Sequence, residues 1–84
     1  MKITVRLYST LREILPPEQR GVAQVDLPDN SNLQDLLTEL GIQPKVTCSI
    51  NGQVEPNLSQ FLHEGDEVRI FRPSVGGDDG IKAI

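Results

Sequence analysis

One segment of this chain has the spacing of an amphipathic helix, and the segments on either side of it alternate between apolar and polar residues. Leu33, Leu36, Leu37 and Leu40 recur at helical intervals, after a run of turn and cap formers at 28–32 and before Gly41. Such a helix has one apolar stripe, which needs another element to cover it. The pattern therefore predicts a single helix, Leu33–Leu40, packed on a sheet.

Alternating segments supply the strands of that sheet, because side chains of a half-buried strand repeat every second residue. The first two are predicted to pair as a hairpin, and Asn51-Gly52 suits a tight turn. The order of elements predicts an α+β domain, a mixed sheet with one helix across one face. The predicted strands are Lys2–Tyr8, Gly21–Leu27, Val46–Ile50, Gln53–Glu55 and Glu67–Arg72.

Two connections are predicted to lack regular strands. Ser9–Leu15 is interpreted as a turn or loop, because Pro16-Pro17 stops any helix that begins there. Pro56–His63 is interpreted as irregular or a single helical turn, with three apolar side chains packing inward. Those three are Leu58, Phe61 and Leu62.

Length and charge restrict the classes of function. The 84 residues allow one domain, and the net charge of −4 with scattered basic residues argues against nucleic acid and favours a partner with a basic docking face. No apolar run suits a membrane span. The single cysteine, Cys48, and the lack of a recognisable signal segment predict a cytoplasmic protein.

The uncovered face of the sheet is a candidate docking surface. Alternation places two aromatic rings there, Tyr8 and Phe71, among polar neighbours. Exposed aromatic residues are often incidental, and the alternative is a patch that binds a partner. The full predicted face is Arg6, Tyr8, Thr47, Ser49, Arg69 and Phe71.

Other reactive side chains give weaker indications. Alternation turns Cys48 toward the helix as a core residue, and His63 lacks a second ligand nearby in sequence. The carboxylates of Glu64, Asp66 and Glu67 suit turn hydrogen bonds better than calcium binding. No catalytic residue and no metal site is predicted.

Several motifs in order resemble the sulfur-carrier proteins of the β-grasp, ubiquitin-like fold, among them the small subunit of molybdopterin synthase and the thiamine-pathway sulfur carrier. The resemblance spans residues 2–77. It implies a β-grasp domain over 1–73 and a flexible tail over 74–84. The motifs are Leu7-Tyr8, Leu11-Arg12-Glu13, the leucine helix, Ile50-Asn51-Gly52, Gly65-Asp66-Glu67-Val68 and Val75-Gly76-Gly77.

The resemblance implies a carrier or cosubstrate, not an enzyme. An adenylyltransferase similar to ubiquitin-activating enzymes would use ATP to activate the carboxylate of Gly77, and a sulfur donor would convert it to a thiocarboxylate. The chain itself would bind no cofactor. Val75 and Gly76 would form the tail that enters the partner, and docking would use Tyr8, Phe71, Arg6, Arg69 and Arg72.

The chain departs from this pattern by continuing for the seven residues Asp78–Ile84 beyond Gly77. Because the Gly77 carboxyl group is held in a peptide bond, a protease must first remove the extension, and the resemblance implies a JAMM-type zinc metalloprotease. The run Phe71-Arg72-Pro73 favours the molybdopterin branch over thiamine, with the large subunit of molybdopterin synthase as a further partner.

Two other functions remain open. The activated glycine can instead be joined to lysines of other proteins, as in a ubiquitin-like modifier. Alternatively, the extension is permanent in a binding module, with Ile81 and Ile84 packed on Tyr8 and Phe71. A two-iron ferredoxin is excluded because it needs several thiolates and the chain has one.

Overall fold

The computed structural model describes residues 1–72, so the predicted domain boundary at 73 and the tail lie outside the described residues. Within residues 1–72, no helix has both the length and the apolar character needed to cross a bilayer. The strands are β1 (Lys2–Leu7), β2 (Val22–Asp26), β3 (Thr47–Ile50), β4 (Gln53–Val54) and β5 (Glu67–Phe71); the α-helix is α1 (Leu33–Leu40), and 3-10 helices cover Ser9–Ile14 and Pro17–Gln19.

The strands form one mixed sheet in the order β2-β1-β5-β3-β4. β1 and β2 make the predicted antiparallel hairpin, and β3 is antiparallel to both β4 and β5. β1 and β5, from opposite ends of the described chain, lie side by side in parallel, with Leu7 opposite Ile70. Tyr8 and Arg72, which follow these two strands directly, therefore lie at the same edge of the sheet.

Helix α1 begins and ends where the sequence predicts. The side chain of Asn32 accepts a hydrogen bond from the Asp35 amide (2.8 Å), and the Asp35 carboxylate accepts one from the Asn32 amide (3.0 Å). This reciprocal cap satisfies two amides that the helix leaves unpaired. Gly41 ends the helix in the left-handed region, at φ 73°.

The core lies between α1 and one face of the sheet. Alternate residues of β1 point into it, as predicted, and the leucine stripe of α1 covers them. Cys48 is 2% exposed and belongs to this cluster, as alternation predicts. The fully buried side chains are Ile3, Val5, Leu33, Leu36, Leu37, Val68 and Ile70.

Ser9–Leu15 is more regular than the turn or loop predicted. Residues Ser9–Ile14 form a 3-10 helix in which Leu11 is buried in the core. The last turn closes through a hydrogen bond from the Leu15 amide to the Arg12 carbonyl (3.1 Å), just before Pro16. Burial of one leucine thus fixes a segment that is too short and too close to proline for an α-helix.

The prediction that Phe61 packs inward is wrong, since its side chain is 57% exposed. The backbone around it is extended: the Leu33 amide donates to the Gln60 carbonyl (3.1 Å), and the Leu62 amide donates to the Ser31 carbonyl (2.8 Å). Successive side chains of an extended segment point to opposite sides. Leu62, 2% exposed, takes the inward position, and Phe61 is directed outward.

Candidate functional site

The two aromatic residues of the uncovered face form a contact pair. Tyr8 directly follows β1 and Phe71 ends β5, so the parallel pairing brings them together. Their ring centroids are 5.0 Å apart with a tilt of 35°, a favourable geometry for aromatic side chains. Tyr8 is 36% exposed. The predicted aromatic patch is therefore present at the sheet edge where the described chain ends.

Charged side chains lie on the same face, two residues before the rings along β1 and β5. Arg6 and Arg69 are register neighbours, and Glu67 contacts both guanidinium groups. The Arg6 Nε donates to Glu67 Oε2 (2.6 Å), and an Arg69 terminal nitrogen donates to Glu67 Oε1 (3.4 Å). The hydrogen bond with Arg6 lowers the pKa of the Glu67 carboxyl and raises the pKa of the Arg6 guanidinium.

Glu67 contacts two of the predicted docking residues, whereas the sequence interpretation assigned its carboxylate to a turn. Its neighbours do serve the turn: Glu64 accepts from the Lys2 amide (3.0 Å) and Asp66 accepts from the His63 amide (2.8 Å). Alternation along β5 could have placed Glu67 on the same face as Arg69, because residues two apart in a strand point to the same side.

Ser49 lies on this face but is not exposed. It pairs in register with Arg69 on one side and Val54 on the other, and it is 4% exposed. A serine between two longer side chains is shielded from solvent even on an uncovered sheet. The prediction of a wet Ser49 is therefore wrong, and Val54, which is 65% exposed, is the more accessible residue of the pair.

Arg72, the last described residue, is fixed beside the first 3-10 helix. Its Nε donates to the Thr10 hydroxyl oxygen at 2.5 Å. This contact holds Arg72, the end of the described chain, against the 3-10 helix that follows Tyr8. Val75, Gly76 and Gly77, the predicted tail and activation site, lie outside the described residues, and their role stays a prediction.

Cys48 is unsuited to carry sulfur on its own thiol. Its burial raises its pKa to about 11, so the reactive thiolate is scarce at neutral pH. Among residues 1–72 no three His, Cys, Asp or Glu side chains gather as a metal site. The described surface places aromatic rings beside arginines, and its role in docking stays a prediction.

A family model, the ThiS family, matches residues 5–77 of this sequence. The chain belongs to the ThiS family. ThiS-type small carriers are generally not enzymes themselves. The match covers all but the first four of the described residues and continues to Gly77. No curated protein matches the chain in sequence.

Solved structures confirm the β-grasp, ubiquitin-like fold. The small archaeal modifier protein 1 of Haloferax volcanii is 18% identical, with 87% of this chain and 98% of that chain covered and a TM-score of 0.71. A candidate subunit 1 of molybdopterin converting factor from Pyrococcus furiosus is 19% identical (88% and 99% covered, TM-score 0.72). A complex of subunits 1 and 2 of molybdopterin-converting factor from Helicobacter pylori is 21% identical (92% and 100% covered, TM-score 0.61). At these identities the likeness concerns the fold.

Proposed function

We propose that this ThiS-family chain is a sulfur carrier whose Gly77 carboxylate, once residues 78–84 are removed, is adenylated and converted to a thiocarboxylate. The observation that carries the proposal is the extent of the family match, which stops at Gly77 and leaves out Asp78–Ile84. Gly77 is thus the last position that this chain shares with the family pattern. The carrier is consumed and regenerated as a cosubstrate of partner enzymes.

The chemistry requires activation because a carboxylate is a poor electrophile. Its oxygen attacks the α-phosphate of ATP and pyrophosphate leaves, which gives an acyl adenylate. A sulfur donor then displaces AMP at the carbonyl carbon. ATP belongs to the activating partner, an adenylyltransferase similar to ubiquitin-activating enzymes.

The position of the aromatic pair suits such a reaction. Five residues separate Arg72 from Asp78, and a fully extended segment of that length spans roughly 15 Å. The folded domain is then able to dock through Tyr8 and Phe71 while Gly77 reaches an active site in the partner. Glycines at 76 and 77 allow close approach of the backbone to ATP.

Activation depends on removal of the extension. The Gly77 carbonyl forms an amide with Asp78 in the full sequence, and an amide presents no carboxylate to ATP. We assign this cleavage to a separate protease of the JAMM zinc class, which acts before adenylation.

Molybdopterin is the favoured destination of the sulfur, ahead of thiamine. The run Phe71-Arg72-Pro73 supports this branch, and two of the similar folds are described as subunit 1 of molybdopterin converting factor. One of them is solved in complex with subunit 2. By analogy, the large catalytic subunit would receive the tail of this chain.

Two measurements test the proposal. The intact mass of protein isolated from its own host should show truncation after Gly77, with replacement of one oxygen by sulfur in part of the population. Purified chain 1–77 should form an acyl adenylate with the host adenylyltransferase and ATP, while the full-length chain and 1–76 should not. Protein that always retains Asp78–Ile84 in the host contradicts the proposal.

A second candidate is conjugation to other proteins, favoured by the likeness to the Haloferax volcanii modifier. The same activated Gly77 would then form amides with lysines. This function predicts covalent ladders on denaturing gels of host lysate that disappear in a Gly77→Asp variant. A carrier dedicated to cofactor synthesis gives a single band in both strains.

A further inference from the structure

The arginines of this chain converge on one end of the domain, although the chain as a whole is acidic. Three of them line one cavity of about 210 Å³ together with Tyr8. A fourth is the register neighbour of one of these, and the fifth is hydrogen-bonded to Thr10 of the adjoining 3-10 helix. The five are Arg6, Arg12, Arg20, Arg69 and Arg72.

Most carboxylates lie elsewhere. Residues 1–72 contain ten acidic and seven basic residues, yet only three of the ten, Glu13, Glu18 and Glu67, belong to segments beside this arginine cluster. Glu64 and Asp66 sit at the opposite end of β1 and β5, and others lie on α1 or beyond β4. The charge is therefore segregated, and the aromatic pair lies in the basic part. The basic partner face predicted from net charge does not suit this local surface.

Three of the five arginines form no salt bridge within residues 1–72, and two of these three line the cavities. Arg6 and Arg69 share Glu67, but Arg12 and Arg20 form no salt bridge within residues 1–72. They line a second cavity of about 430 Å³ beside the first, and Glu13 is the carboxylate among its lining residues. Guanidinium groups that line a shared cavity without a salt bridge are chemically suited to an anionic group.

The Arg12 side chain lies close to the backbone at Gly21. A Cβ atom at Gly21 would lie 3.0 Å from both Cγ and Nε of Arg12 and 2.8 Å from the Leu7 carbonyl oxygen, so only a glycine lets the arginine lie against this strand. Gly21 also has φ 76°, which favours glycine. Glycine at this position therefore leaves room for the Arg12 side chain beside the cavity.

We propose that the cavities lined by Arg12 and Arg20 receive an aspartate or glutamate side chain of the protein that docks on Tyr8 and Phe71. The carboxylate accepts paired hydrogen bonds from the planar guanidinium groups, while the rings receive an apolar side chain of the same partner. The two subsites are continuous, because Tyr8, Arg12 and Arg20 line one cavity. This inference deepens the proposed function, on which the identity of the docking protein rests.

The first test uses the full chain and needs no natural partner. Arginine Nε–Hε correlations are followed by NMR during titration with an acetylated Glu-Leu-Glu-Leu-Glu peptide, with Gln-Leu-Gln-Leu-Gln and inorganic phosphate as controls. We expect saturable shifts of Arg12 and Arg20 with the acidic peptide alone. Absence of those shifts, equal shifts with the neutral peptide, or equal shifts with phosphate would each overturn the proposal.

The second test uses adenylation of chain 1–77. Arg12→Gln and Arg20→Gln should each raise the KM for the carrier about 2- to 5-fold with kcat unchanged, as expected for loss of one partly exposed ion pair. Lys2→Gln removes the same charge at the opposite end of the sheet and should leave KM unchanged. Urea midpoints of all variants establish that they fold.

An equal rise of KM in Lys2→Gln would contradict a local site and indicate net charge instead. Failure of every chain to be adenylated would contradict the sulfur-carrier function. In that case the peptide titration still decides whether the cavities bind carboxylates, so the two proposals fail separately.

Discussion

At the residue scale, the Arg6–Glu67 contact makes a pH-dependent contribution to stability. The pKa of Glu67 is lowered from its ordinary 4.5, so the contact stabilises the folded state above that value and its contribution is lost as pH falls through the lower folded-state pKa. The pKa of the Arg6 guanidinium is raised above its ordinary value by Glu67, so Arg6 stays charged throughout the neutral and acid range. Acidification therefore affects the pair through Glu67.

We predict that Glu67→Gln lowers the urea midpoint slightly at neutral pH, and that the difference from the natural chain shrinks as pH falls below 4.5 and vanishes once pH is below the lower folded-state pKa. The effect is small because the pair is exposed to solvent. Glu18→Gln, whose carboxylate forms no ion pair within residues 1–72, is the matched control. A difference that persists unchanged into acid would show that the contact is not ionic.

Cys48 gives a second prediction at this scale. The native thiol should resist labelling at neutral pH and react only when the chain unfolds, because it is 2% exposed and burial raises its pKa to about 11. Cys48→Ala should remain a full substrate for adenylation and sulfur loading, measured by intact mass. Loss of loading in a folded Cys48→Ala protein would place the sulfur on this thiol and contradict the role of Gly77.

At the element scale, substitutions at two glycines should distinguish the cost of backbone strain from the cost of a steric clash. Gly41 and Gly21 both have positive φ, but a Cβ at Gly41 meets nothing within 4 Å, whereas at Gly21 it meets the Leu7 carbonyl oxygen at 2.8 Å. Gly41→Ala should therefore cost about 1 kcal/mol of unfolding free energy from strain. Gly21→Ala should cost about 1–3 kcal/mol more, since neighbouring backbone must move. Equal costs in urea denaturation would contradict the steric argument.

The elements themselves were largely predictable because their signals are local. Helix α1 is specified by its leucine spacing and by caps within a few residues, and the β1–β2 hairpin joins neighbouring strands. Phe61 was misplaced because its direction depends on backbone bonds to Ser31 and Leu33, far away in sequence. The contact of Glu67 with Arg6 joins residues 61 positions apart, which no local pattern encodes.

At the scale of the whole molecule, the arginine cluster shows why net charge is a poor guide to a binding face. The net charge of −4 sums over the whole chain. A docked partner interacts mainly with charges within about 10 Å, the Debye length at moderate salt, because more distant charges are screened. The parallel pairing of β1 with β5 and the 3-10 helix after β1 bring the arginines together. Tyr8 and Phe71 were predictable from alternation, whereas this clustering depends on the tertiary fold.

The last prediction concerns the extension. Among the described residues, the buried cluster between α1 and the sheet is built from residues 3–70, and we predict that the domain is equally stable without Asp78–Ile84. Chains 1–77 and 1–84 should therefore have the same urea midpoint and the same slope, because the slope reports the surface exposed on unfolding. Chain 1–77 carrying Ile3→Ala is the control. Its free energy of unfolding should fall by about 2–5 kcal/mol, as expected for a truncated core isoleucine. A lower midpoint and a shallower slope in 1–77 would instead support the binding module in which Ile81 and Ile84 cover Tyr8 and Phe71. Cleavage would then uncover the docking face as well as release the Gly77 carboxylate.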